Sequence, residues 1–317
     1  MTNEAPKIAV ITGPTATGKT ALGVILAKEL GGEIVSADSM QVYRHMDIGT
    51  AKVTTAEMQG IPHHMIDVAE PYENYSVARY VRQADECVSD ILKRGKLPII
   101  VGGTGLYIDS LVAGRDFGEE ASNEQLRSGL EAEYESLGGE KLLEKLRAVD
   151  PKRASKLFPS DKKRIIRALE FFSTTGKTIT WHDEETQKQP CRYNAAVLAL
   201  SFKNRSDLYE RIDKRAETMA AAGLFNEVRS LLGSGVPEKC TAMQAIGYKE
   251  AARAIRGEIS EAEAVELIKR ESRRYAKRQL TWLRRKENVG WLLWESAPDF
   301  NFARQFSTIF LLSRGLE

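Results

Sequence analysis

The stretch Gly13-Pro14-Thr15-Ala16-Thr17-Gly18-Lys19-Thr20 constrains this chain more than any other. It satisfies the spacing G-x4-G-K-[ST]. It lies between an apolar, β-branched run, Lys7–Thr12, and a segment whose residues Leu22, Ile25, Leu26 and Leu30 recur at helical spacing. Strand, glycine-flanked turn and helix in that order aim backbone N–H groups and a helix N-terminus at one point. Lys19 adds a point charge there, and Thr20 a hydroxyl suited to Mg²⁺. The arrangement predicts a site for a di- or triphosphate.

The pattern continues in kind. Gly31-Gly32 ends the first helix, Glu33–Ala37 reads as a strand, Val77–Arg94 as a helix capped by Gly95, and Lys96–Val101 as a third strand. Gly102-Gly103-Thr104-Gly105 and another helical start follow. Strands alternating with helices across short turns mean a parallel sheet with crossover connections. From about Glu119 to Gln189 the chain turns rich in Leu, Glu, Lys and Arg. There Glu124–Leu137, Glu140–Ala148, Lys152–Leu157 and Lys162–Thr174 read as helices. Ala195–Phe202 restores a core strand. The remainder reads as helical, over Ser206–Ala222, Leu224–Leu232, Thr241–Arg256 and Ser260–Lys286. The predicted fold is α/β: a P-loop NTPase-like parallel sheet flanked by helices, with an all-helical insertion domain and a helical C-terminal region. The boundaries fall at 1–118, 119–195 and 196–317.

Several classes drop out on composition. The three cysteines, Cys87, Cys191 and Cys240, form no CxxC or CxxH pair, which argues against a disulfide framework or a cysteine zinc site. No apolar run reaches the length of a spanning helix, and Ile8–Ile11 leads straight into Gly13-Pro14, as a strand would and a signal peptide would not. A cytoplasmic protein is expected. The formal charge of +2 hides an uneven distribution. Lys152–Arg167 carries seven basic residues against one acid, and Lys269–Lys286 nine against one. Each stripe reads either as a polyanion surface or as a solvated helix face.

Asp38 follows the second strand and so should face the crevice that holds the phosphates. There it could ligate Mg²⁺ through water, accept a proton, or cap the next turn. The Gly102–Gly105 turn faces the same crevice, with Thr104 able to donate to a phosphate or a base. His63-His64 suggests a metal, but adjacent residues in an extended chain point to opposite faces, and a structural role is the simpler reading. The tryptophans read as packing residues, with RNA contact an open alternative for Trp282 beside the C-terminal basic stripe.

Taken in order, Gly13–Thr20, Ser36-Ala-Asp-Ser-Met-Gln-Val-Tyr43, Ile48-Gly-Thr-Ala-Lys52, Ile61-Pro-His-His64 and Val101-Gly-Gly-Thr-Gly-Leu-Tyr107 make a specific set. It continues through Asp150-Pro151, Arg164-Ile-Ile-Arg-Ala-Leu-Glu170, Ala242-Met-Gln-Ala-Ile-Gly-Tyr-Lys-Glu250 and Tyr275-Ala-Lys-Arg-Gln-Leu-Thr-Trp282. With it the chain resembles bacterial tRNA dimethylallyltransferases, also called tRNA isopentenyltransferases, over nearly its whole length. The resemblance implies transfer of a dimethylallyl group from dimethylallyl diphosphate to the exocyclic amine of the adenosine just 3′ of the anticodon. It implies diphosphate on Gly13, Pro14, Thr15, Ala16, Thr17, Gly18, Lys19 and Thr20, with Mg²⁺ at Thr20, and Asp38, Lys19 and Arg215 as catalytic residues. Arg215 is preferred over Arg211. Contact with tRNA is implied for Asp38, Ser39, Met40, Gln41 and Thr104. Further contacts are implied in the insertion at Arg127 and at Lys162, Lys163, Arg164, Ile165 and Ile166. The two basic stripes then become phosphate-tracking surfaces for the anticodon arm. Without a Cys/His cluster of the kind that eukaryotic relatives carry, a bacterial type with no structural metal is implied; a monomer is expected. The rivals are a P-loop kinase of a small metabolite or nucleoside, with Asp38 as its base, and a non-catalytic RNA-binding switch.

Overall fold

Residues Ile8 to Thr12 are each wholly buried, on both faces of the strand they form. That pattern belongs to a parallel strand covered from both sides, where a continuous apolar run replaces alternation. The strand is β1 (Lys7–Thr12). The others are β2 (Glu33–Ser36), β3 (His63–His64), β4 (Pro98–Val101), β5 (Asn194–Phe202) and β6 (Val289–Trp294). The helices follow in chain order: α1 (Lys19–Glu29), α2 (Thr55–Met58), α3 (Val77–Lys93), α4 (Gly105–Ala113), α5 (Glu124–Leu137), α6 (Gly139–Val149) and α7 (Pro151–Ala154). After these come α8 (Lys162–Thr175), α9 (Ile179–Lys188), α10 (Arg205–Ala221), α11 (Leu224–Gly233), α12 (Tyr248–Ile255), α13 (Glu261–Leu283) and α14 (Phe300–Ser313). The computed structural model describes residues 5–115 and 123–316. The chain divides into two units, Met1–Gly114 with Cys191–Glu317, and Arg115–Pro190.

The first unit is built on one sheet, in the order β3-β2-β4-β1-β5-β6 with every pair parallel. On β1, Ala9 faces Ile99 of β4 on one side and Ala196 of β5 on the other. Leu22, Leu26, Ile34 and Leu198 belong to one apolar cluster and are at most 2% exposed. Each such side chain contributes about 1.5–3 kcal/mol of burial. Helix α13 starts on a capping box, where Ser260 Oγ accepts the Glu263 N–H and the Glu263 carboxylate accepts the Ser260 N–H. No helix among the described residues is long and apolar enough to cross a membrane.

The structure corrects the sequence reading in several places. The region after Lys286 is not all helical: Val289–Trp294 is an edge strand, paired from Val197↔Val289 to Phe202↔Trp294. Thr241–Arg256 is not one helix. A 3₁₀ turn at Ala242–Gln244 is separated from α12 by Gly247, whose φ of +101° lies outside helical geometry. His63-His64 forms a short parallel strand, and α9 appears where no helix was read. The first expected boundary, between 118 and 119, lies outside the described residues. Strand β5 begins at Asn194, inside the span 119–195 assigned to the insertion.

The second unit is helical, α5 to α9, around Leu142, Leu143, Leu146, Ala154, Ile165 and Leu169. Asp150 is 3% exposed and holds two helix starts: Oδ1 accepts the Arg153 N–H and the Thr180 hydroxyl, and Oδ2 accepts the Thr180 N–H. Ile165 and Ile166 are 0% and 3% exposed in this core. As side-chain contacts to RNA, those two expectations are corrected: the helical repeat turns both isoleucines inward and leaves Lys163 and Arg164 outside.

Candidate active site

The turn from β1 to α1 is forced by close backbone approach. Gly13 has φ +141°, and a Cβ there would lie 2.3 Å from the Leu200 carbonyl oxygen, so only glycine fits. Pro14 is buried, and its carbonyl accepts hydrogen bonds from the Thr17 hydroxyl (2.9 Å) and from Lys19 Nζ (2.7 Å). Ala16 sits at φ +65°, and its carbonyl accepts from Arg211 Nε at 3.2 Å. Trp294 Nε1 of β6 donates to the Thr17 carbonyl at 2.9 Å. Gly18 caps α1 in a left-handed conformation and offers no side-chain acceptor to the helix start. The first-turn N–H groups therefore remain available to an anion.

A cavity of about 400 Å³ opens at this loop, walled by Thr15, Lys19 and Thr20 on one side and by Asp38, Ser39, Met40 and Gln41 on another. Arg215 of α10 lines it too, whereas Arg211 is exposed and stacks on the Phe202 ring. Burial pushes the Lys19 ammonium down to about 7. Arg215 adds to that shift and Asp38 opposes it. Burial also lowers Arg215, with Asp38 again acting in the opposite sense.

Asp38 lies two residues beyond β2. Its Oδ1 accepts the N–H of Met40 (2.8 Å) and of Gln41 (3.3 Å), an Asx-type turn. Its Oδ2 has no hydrogen-bond partner among the described residues, so the capping role uses one oxygen of a carboxylate whose residue lines the cavity. Thr104, at the N-cap of α4, accepts the Ser39 N–H at 3.0 Å and lies 3.3 Å from the Ser39 hydroxyl. It braces the cavity wall from behind. Gln41 Nε2 donates to the carbonyls of Thr50 (3.4 Å) and Ala51 (3.2 Å).

Sequence reasoning missed Gln279. Its amide joins the two glycine-rich turns: Oε1 accepts the Thr15 N–H at 3.2 Å, and Nε2 donates to the Gly103 carbonyl at 2.9 Å. Tyr275, Gln279 and Trp282 recur at helical spacing along α13, so a helical reading of that stripe puts them on one face. Trp282 Nε1 donates to Asp109 at 2.7 Å.

The basic stripe of α13 is partly spent on internal pairs. Arg273 binds Asp213 at 2.5 Å, Arg274 binds Glu271 at 2.7 Å, and Lys269 binds Glu217 and Glu266. Lys277, Arg278 and Arg285 make no ion pair among the described residues and, with Trp282, line a second groove that shares Arg278 with the main cavity. In the insertion, Arg127 donates to Glu170 at 3.0 Å, Lys162 pairs with Glu135 and Arg164 with Asp161, while Lys163 is exposed. His64 pairs with Glu33 and His63 Nδ1 with the Ile61 carbonyl. No cluster of His, Cys, Asp or Glu among the described residues could hold a metal by itself.

Residues 41–286 match the IPP transferase family and residues 6–71 the isopentenyl transferase family. The tRNA dimethylallyltransferase of Caldanaerobacter subterraneus subsp. tengcongensis is 48% identical over 301 residues, which is 94% of this chain and 95% of that one. The crystal structure of tRNA delta(2)-isopentenylpyrophosphate transferase from Staphylococcus epidermidis matches with TM-score 0.71 and 44% identity, over 98% of this chain and 99% of that one. A eukaryotic dimethylallyltransferase, seen in crystallographic snapshots acting on tRNA, matches with TM-score 0.74 and 31% identity, over 88% of this chain and 70% of that one. A family match over most of the chain, and a relative at this identity along nearly its whole length, place the chain in the IPP transferase family.

Proposed function

We propose that this protein transfers a dimethylallyl group from dimethylallyl diphosphate to the exocyclic amine of the adenosine 3′-adjacent to the anticodon in tRNA, releasing diphosphate. The observation that carries the reading is Asp38, which lines one cavity with Lys19, Thr20 and Arg215 and whose Oδ2 makes no hydrogen bond among the described residues. Donor site and proton acceptor thus share one space.

The adenine amine is a weak nucleophile because its lone pair is delocalised into the ring. Reaction therefore depends on departure of the diphosphate. The allylic C–O bond breaks with its electron pair going to the diphosphate, and the amine nitrogen forms the new C–N bond. Loop N–H groups, Lys19 and Arg215 are placed to stabilise the negative charge gathering on the leaving group. Burial at the cavity strengthens those contacts by excluding water. Asp38 Oδ2 takes the proton that the amine sheds, while Oδ1 stays fixed on the backbone of Met40 and Gln41. Ser39, Met40 and Gln41 then wall the adenine, and the base must leave its stack to reach them.

Mg²⁺ fits as a companion of the diphosphate. Thr20 is exposed at the loop and lines the cavity, and no set of three or more protein ligands competes for the ion among the described residues. Thr20 would hold the ion beside the diphosphate, where it would supply further neutralisation of the leaving group. The groove at Lys277, Arg278 and Arg285 and the exposed cations Lys163 and Arg164 of the insertion are the proposed surfaces for tRNA phosphates. Monomeric action in the cytoplasm completes the reading. The test is to mix purified protein, Mg²⁺, dimethylallyl diphosphate and unmodified tRNA, then weigh the nucleosides after digestion. An adenosine heavier by one dimethylallyl group, at the position 3′ of the anticodon, is expected. Unmodified RNA refutes the reading, and phosphate transfer from ATP to a small acceptor favours the kinase.

A further inference from the structure

Gly49, Thr50 and Ala51 form part of the cavity wall but belong to no helix or strand, so their shape is imposed by neighbours. Glu227 of α11 imposes it. Its Oε2 accepts the N–H groups of Asp47 and Ile48, each at 2.8 Å, and its Oε1 accepts the Gly49 N–H at 3.1 Å. The Tyr248 hydroxyl donates to Oε1 as well, at 2.5 Å. Three successive N–H groups converging on one anion make a nest, here filled by a side chain of the protein itself. The Tyr248 ring is wholly buried against Gly49, where a Cβ would come within 2.4 Å of it. From another side, Lys52 Nζ donates to the Tyr43 carbonyl at 2.8 Å and pairs with Asp47 and Asp67 at 2.6 Å each.

What is held in this way is a pair of carbonyl groups. Thr50 O accepts from Arg215 (3.4 Å) and from Gln41 Nε2, and Ala51 O also accepts from Gln41. The bond to Thr50 is the one hydrogen bond of Arg215 among the described residues. We propose that Glu227 is a positioning residue for the transfer reaction. It fixes the Asp47–Ala51 segment so that Thr50 presents Arg215 to the diphosphate while Thr50 and Ala51 orient Gln41 beside the acceptor base. The inference rests on the function proposed above for its catalytic consequence, and on geometry alone for its effect on diphosphate binding.

The experiment compares the full-length wild-type protein with Glu227→Gln and Tyr248→Phe. Four quantities are read: melting temperature, calorimetric affinity for inorganic pyrophosphate with Mg²⁺, tRNA affinity without donor, and kcat. Glu227→Gln sets an amide NH₂ against backbone donors. It is expected to weaken pyrophosphate binding and lower kcat about tenfold each, with tRNA affinity changed by less than about twofold. Tyr248→Phe leaves the carboxylate on its three N–H groups and is expected to weaken pyrophosphate about threefold. A cooperatively folded Glu227→Gln protein with wild-type pyrophosphate affinity and kcat overturns the proposal. If that variant does not fold, unchanged pyrophosphate affinity in Tyr248→Phe overturns it instead. Wild-type protein that modifies no tRNA, beside variants that still lose pyrophosphate, sinks the transferase reading and sustains the positioning role.

Discussion

Replacing Asp38 by Asn separates two tasks that one carboxylate performs. Asparagine retains an oxygen where Oδ1 accepts the Met40 and Gln41 N–H groups, so the turn and the adenine wall should survive. It replaces the unpartnered Oδ2 by an NH₂ that cannot take a proton. General-base contributions run from about a hundredfold to ten-thousandfold, roughly 3–5 kcal/mol of barrier, and the single-turnover rate constant should fall within that range. Asp38→Ala should fall further and also melt earlier by about 1–2 kcal/mol, because two N–H groups lose their acceptor. The difference between the variants measures the turn, and the shared loss measures the chemistry. The assay is rapid-quench transfer of labelled dimethylallyl groups to saturating tRNA, with tRNA affinity and melting temperature measured alongside. An Asn variant within about threefold of wild type removes Asp38 as the proton acceptor, since such a change is under about 1 kcal/mol.

Other consequences are equally open to measurement. With its ammonium held near 7, Lys19 is largely neutral above that pH until an anion arrives, so donor binding takes up a proton. Affinity for the donor should fall as pH rises through 7.5 to 9, approaching about tenfold per unit; a flat profile, with no proton uptake in calorimetry, refutes the assignment. Charge reversal at Lys277, Arg278 and Arg285 should flatten the salt dependence of tRNA binding by about 2–3 in log–log slope. Removal of the internally paired Arg273, which does not line that groove, should change it by less than about one. Equal effects would mean that the ion pairs of α13 open on binding. Ile165→Ala should destabilise the helical insertion by about 2–5 kcal/mol in a melt while leaving tRNA affinity unchanged at temperatures where it is folded.

The phosphate loop was legible because its spacing, its strand and its helix all lie within a few residues of one another. Asp38 was legible for the same local reason, its place just after an apolar strand. Of the roles left open for it, the structure shows the capping one, in the bonds from the Met40 and Gln41 N–H groups to Oδ1. Ile165 and Ile166 misled because a family segment was carried over whole, whereas the helical repeat sorts its members into core and surface. Gln279 and Glu227 were invisible for another reason. Their partners, Thr15 with Gly103 and Asp47 to Gly49, are more than 170 residues away in sequence, and no local pattern encodes such a meeting. The edge strand β6 escaped because it follows a long cationic helix after only a short turn, so the helical period masked its apolar run.

The bond from Trp294 to the Thr17 carbonyl spans 277 residues, and β1 takes one edge partner from each side of the insertion. A ribosome adding about 5–20 residues per second needs roughly 15–55 s to pass from one end of that bond to the other. For all that time the nascent chain carries the loop between β1 and α1 without the tryptophan that ties it down. Fragments released before residue 294 therefore lack the hydrogen bond that ties this loop to the far edge of the sheet.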